Sequence, residues 1–97
     1  MIVNFLGKPF KIQLVDHTYT DNGRRAIEAV CDEGHFGMLT VNVPEASLAD
    51  DEICVKVWSE NAFWAPQVLS ELRDKFVPTG REVRTGFVSA PVYKVVS

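Results

Sequence analysis

Through most of this chain apolar residues return at every second position, and in one stretch only at every third or fourth. That contrast fixes the fold class first, because a period of two marks a strand with one buried face and a period near 3.6 a helix with one buried stripe. Phe10, Ile12 and Leu14 alternate with Lys11 and Gln13, and with Ile2 to Leu6 they read as a hairpin around Gly7-Lys8-Pro9. After the turn signal Asp21-Asn22-Gly23, Ile27, Ala29 and Cys31 predict a third strand. Gly34 and Gly37 bracket a second turn before a fourth strand, Leu39, Val41 and Val43, which Pro44 ends. A polar loop from Glu45 to Glu52 leads to a fifth strand carrying Ile53, Val55 and Val57, and two β segments follow near Glu82 to Val88 and Val92 to Val96. The helical spacing belongs to Val68, Leu69, Leu72 and Phe76, with Pro66 suited to the first turn, Ser59 and Asn61 as candidate caps, and Pro78-Thr79-Gly80 as the stop.

A run of strands cannot bury its apolar face alone, so the helix must supply the second layer. The expected fold is α+β: a twisted, mainly antiparallel, meander-like sheet of about five to seven strands on one main helix near residues 62–76. The 97 residues suffice for one core, so residues 1–97 are read as a single domain. Asn4, Gly7, Lys8 and Pro9 interrupt the N-terminal apolar residues, and no apolar run has the length of a membrane span, so a cytoplasmic location without a membrane role is expected.

No nucleotide-binding glycine pattern or nucleophile elbow occurs in the sequence, and no cofactor is expected. His17, Cys31, His35 and Cys54 are four potential zinc ligands without the paired knuckle spacing of structural zinc sites, and the alternation sends Cys31 and Cys54 to opposite faces. They are read as reduced thiols, with no metal site. Asp16-His17 is the one adjacent acid-histidine pair, and neighbours on a strand point to opposite faces. No catalytic residue is therefore assigned.

Charge divides sharply along the chain. Glu28 to Glu60 holds eight acids against the single base Lys56, while the remainder holds nine bases and five acids. In a meander the acids should gather at one side of the fold, with Arg73, Lys75, Arg81, Arg84 and Lys94 elsewhere. Such a side serves either solubility or docking onto a basic surface. Trp58-Ser59-Glu60-Asn61, followed by Phe63 and Trp64, crowds aromatics around a strand-to-helix turn, where they either fill the corner or anchor an interface. Val30, Met38, Cys54 and Trp58 on the outer sheet face form a patch that suits dimerisation or partner binding unless another segment covers it.

Thr40-Val41-Asn42-Val43-Pro44, Trp58-Ser59-Glu60-Asn61, Pro78-Thr79-Gly80-Arg81, Thr85-Gly86-Phe87-Val88 and Pro91-Val92 give the chain a resemblance. In order and spacing they resemble a family of short uncharacterised proteins carried by phages, plasmids and other mobile elements. Ala62 stands where that family often has glycine. The resemblance implies a mobile-element setting more than a mechanism. Combined with the charge division and the aromatic corner, it leads to the expectation of a non-enzymatic accessory protein that binds a host or element-encoded protein with a basic surface. Anti-CRISPR-like inhibition of a host defence nuclease is one such role. The candidate partner-binding residues are Glu45, Asp50, Asp51, Glu52, Trp58, Glu60 and Trp64. The alternative expectation is a nucleic-acid-binding regulator using Arg81, Arg84 and Lys94, with Arg24 and Arg25 in support; the net charge of −3 disfavours it.

Overall fold

The computed structural model describes residues 1–96; Ser97, the last residue of the expected domain, lies outside the described residues. The alternating segments become eight strands: β1 (Ile2–Phe5), β2 (Lys8–Lys11), β3 (Gln13–Thr18), β4 (Arg25–Cys31), β5 (Gly34–Met38), β6 (Glu52–Cys54), β7 (Phe76–Thr85) and β8 (Val88–Val95). A short 3-10 turn, Ser59–Phe63, leads into the helix α1 (Ala65–Glu71). The fold is α+β. Its strands form three small antiparallel sheets, the hairpin β1-β2, the meander β3-β4-β5 and the sheet β6-β8-β7, in place of the single meander expected.

The first hairpin turns at Leu6-Gly7, one position earlier than expected. Both residues take positive φ, 52° and 78°, as a two-residue turn with the twist of its strands requires. Pro9 consequently sits within β2 opposite Asn4. The expected second strand divides at Ile12, which exchanges backbone hydrogen bonds with Met1 on one edge, before β3 pairs with β4 on the other. Asp21-Asn22-Gly23 makes the predicted turn, with Gly23 at φ 70°.

Gly34 and Gly37 lie inside β5 rather than around a turn before it. The indole of Trp64 crosses β5 at Gly37, where a Cβ would stand 2.8 Å from its Cζ2 atom. The predicted strand over Leu39 to Val43 reduces to one bridge, Thr40 with Val55. The segment has left the meander and crosses to the other sheet, where Val41 donates to the Cys54 carbonyl and Lys56 to that of Leu39. Buried Thr40 anchors the crossing: its hydroxyl oxygen accepts from the Ile27 amide at 3.1 Å and pairs with the Tyr19 hydroxyl at 2.9 Å.

The helix is shorter than residues 62–76. Phe76 is buried, as its place in the stripe demands, but it opens β7. Pro78, Thr79 and Gly80 lie inside β7, at the sheet edge where a proline forfeits no ladder bond, and a register shift between Pro78 and Glu82 absorbs the extra residues. Neither Ser59 nor Asn61 caps the helix. Ser59 has a positive φ of 57°, while buried Asn61 donates to the carbonyls of Met38 at 2.6 Å and Lys56 at 3.0 Å.

Two apolar clusters result. The larger joins Val3, Ile12, Ile27, Leu39, Val55, Trp64, Val68 and Phe76 between the hairpin, the meander, α1 and one face of the β6-β8-β7 sheet. The smaller lies on that sheet's other face, where Val43, Ala46, Cys54, Ala90 and Val92 pack with Leu48 and Trp58. This second cluster covers two members of the expected exposed patch, because residues 41–48 fold over Cys54 and Trp58.

Candidate functional site

The loop that joins the two sheets carries most of the candidate acids, and two arginines determine its shape. Arg24, just ahead of β4, donates to the carbonyls of Val43, at 2.7 Å, and Ala46. Arg81, in the bulged part of β7, donates to the Ser47 carbonyl at 2.6 Å and to both Glu52 oxygens at 3.0 and 3.1 Å. Glu52 in turn accepts from the Ala49 amide at 2.9 Å. That backbone amide first, and the Arg81 guanidinium after it, hold the Glu52 carboxyl below the ordinary glutamate range. Lacking helix or strand between Val41 and Asp51, the loop is fixed by charge-assisted bonds to its own carbonyls.

These contacts redistribute the predicted site residues. Glu52 faces inward to Arg81, and Asp51 lies 3.6 Å from the Lys94 ammonium. The acidic and basic sets expected on separate sides therefore meet, Arg81 with Glu52 and Lys94 with Asp51, and neutralise each other in part. Arg84 is exposed and makes no ion pair among the described residues. Glu45, Asp50 and Glu60 are likewise exposed and without an ion pair among the described residues.

Trp64, at 2% exposure, is a core residue and no interface anchor. Its ring stacks edge-on to Phe36 at 5.3 Å, within a chain of aromatic contacts through Phe10, Phe5 and Phe63. Trp58 is half-buried against the smaller cluster. Within the aromatic corner Trp64 thus fills space in the core, while Phe63 stays 55% exposed and Trp58 half-buried.

The outer face of the meander carries a cluster the sequence reading passed over. Glu28, in the middle strand, accepts from His17 Nε2 of β3 at 2.8 Å and from His35 Nδ1 of β5 at 2.6 Å. Those bonds, His35 first and His17 second, lower the Glu28 pKa below the ordinary glutamate range. Asp16 faces the other side, so the relevant acid is the diagonal cross-strand neighbour; knowledge of register would have revealed it. Cys31 is half-buried, and burial of Cys54 pushes its thiol pKa up against the opposing pull of Arg24 and Arg81. Among the described residues no group of three or more histidine, cysteine or acidic side chains could hold a metal ion.

A cleft of 540 Å³ opens between the end of β3 and the acidic loop and is lined by Asp16, His17, Thr18, Gly23, Arg25 and Asp50. A second of 360 Å³ continues from it along Leu48, Ala49 and Glu52. No helix among the described residues is long and apolar enough to cross a membrane. No protein-family model, curated protein or solved structure matches the chain.

Proposed function

We propose that this protein acts without catalysis, by binding another protein through the loop between Val43 and Glu52 and the cleft beside it. The observation that carries this reading is the set of bonds from Arg24 and Arg81, which turn the loop's carbonyls inward and leave Glu45 and Asp50 facing solvent. A loop fixed before the encounter loses little entropy on docking, and unpaired carboxylates draw in a basic partner. The partner is a host or element-encoded protein with a basic surface. The channel of a nucleic-acid-cutting defence enzyme is such a surface, and the mobile-element resemblance makes inhibition of one the favoured role.

The test is affinity capture of the tagged protein from host lysate, beside a chain carrying Glu45→Lys and Asp50→Lys. These two positions reverse charge without disturbing the bonds that Asp51 and Glu52 supply to the fold. A partner retained by the native chain and lost by the variant is expected, with association at least about tenfold faster at low salt than at physiological salt. Equal capture by both chains would remove the loop from the interface.

A further inference from the structure

The backbone of β3 offers a vacant sheet edge, and its direction follows from three hydrogen bonds. Tyr19 donates to the Arg24 carbonyl at 2.8 Å, so by strict alternation Gln13, Val15 and His17 point their backbone groups at β4. Ile27, directly opposite Asp16, spends its amide on Thr40 and its carbonyl on Leu39, confirming that Asp16 does not bond across the pair. The N–H and C=O groups of Leu14, Asp16 and Thr18 therefore point away from the sheet. No partner meets them among the described residues.

The other outer edges are occupied or blunted. Pro9 and Lys11 stand on that of β2, and the Gln67 amide bonds both backbone groups of Asn4 on β1. Asn61 occupies the Met38 carbonyl of β5, the Leu39–Val41 crossing covers β6, and Pro78 with its bulge breaks β7. Lysine, proline and bulges are how sheets suppress unwanted pairing. On β3, which lacks these devices, solvent reaches both faces from Val15 to Thr18, and the 540 Å³ cleft borders the edge.

We infer that this edge receives an extended, basic segment of a partner protein as an added strand, with a lysine or arginine opposite Asp16. Asp16 determines the occupant. A second copy pairing antiparallel with fullest overlap would set Asp16 against its own counterpart, and like charges directly opposite are destabilising. A cation at that place would enter the cleft that Asp16 and Asp50 line together with Arg25, two carboxylates against one guanidinium. Main-chain bonds would supply the affinity and the carboxylates the selectivity, as in other strand-addition complexes. The partner's basic character rests on the protein-binding reading above; the vacancy of the edge does not.

The experiment uses the full chain as its own template. β1 runs antiparallel to residues 8–12 along this same edge, with Ile2 opposite Lys11, so an extension ahead of Met1 continues opposite β3 and its fourth residue back faces Asp16. The probe is Thr-Thr-Lys-Val-Val-Thr fused before Met1, beside the same extension with Glu for Lys, read by amide hydrogen exchange. Exchange at Leu14, Asp16 and Thr18 is expected to slow by roughly tenfold or more with the lysine extension and clearly less with the glutamate one. Unchanged exchange at these amides, or equal slowing by both extensions, would overturn the inference. Neither arm involves the partner, so such a failure leaves the loop reading to stand or fall on the Glu45→Lys, Asp50→Lys capture.

Discussion

Individual side chains carry sharply different loads in this domain. Leu6 is 71% exposed at φ 52°, a conformation that costs a branched L-residue about 1–2 kcal/mol and that asparagine or glycine tolerates. Leu6→Asn should therefore raise the urea midpoint, by an amount corresponding to about 1 kcal/mol, since little burial is lost. Gly37→Ala should do the reverse. Its new methyl would meet the rigid Trp64 ring at 2.8 Å, and overpacking of this kind costs about 1–3 kcal/mol, measurable in the same titration. Glu28 acts through pH. Its folded-state pKa is lowered, so its contribution is present above the ordinary glutamate value of 4.5 and is lost as pH falls through the lower folded value. Acid titration of stability should show that loss below pH 4.5, and Glu28→Gln should remove this part of the slope.

Among the elements, the loop from Val41 to Asp51 is the informative one, because arginine side chains do for it what a ladder does for a strand. Arg24→Ala would leave the carbonyls of Val43 and Ala46 without their donor and should cost about 1–3 kcal/mol, with faster amide exchange from Val43 to Glu52 as its local signature. The strand periods, the Asp21-Asn22-Gly23 turn and the burial of Val68, Leu69 and Phe76 were legible in the sequence, because they depend on neighbours two to four residues away. The conversion of Leu39 to Val43 into a crossing was not, since alternation there reports burial against two different sheets. Pro78-Thr79-Gly80 read as a helix stop because an edge strand with a bulge tolerates the same residues. Of the candidate partner-binding residues, Glu45, Asp50 and Glu60 lie exposed. The inward places of Trp64 and Glu52 were not legible because their tertiary partners, Gly37 and Arg81, lie far away in sequence.

Across the whole molecule, the β6-β8-β7 sheet joins the two clusters, since Ile53 and Val95 face the larger while Cys54 and Val92 face the smaller. The loop from Val41 to Asp51 packs on the smaller cluster through Val43, Ala46 and Leu48, so its order depends on a sheet shared with the main core. One cooperative transition should follow, and each cluster contains its own tryptophan to report it. Trp58→Phe leaves Trp64 to monitor the larger cluster; Trp64→Phe leaves Trp58 to monitor the smaller one, in a less stable chain. In each variant, indole fluorescence and far-ultraviolet circular dichroism should give the same urea midpoint. A smaller cluster that melts ahead of the circular dichroism would mean that the loop is ordered only part of the time under mild conditions. Glu45 and Asp50 would then be presented by a fluctuating segment, and any partner's affinity would carry the cost of fixing it.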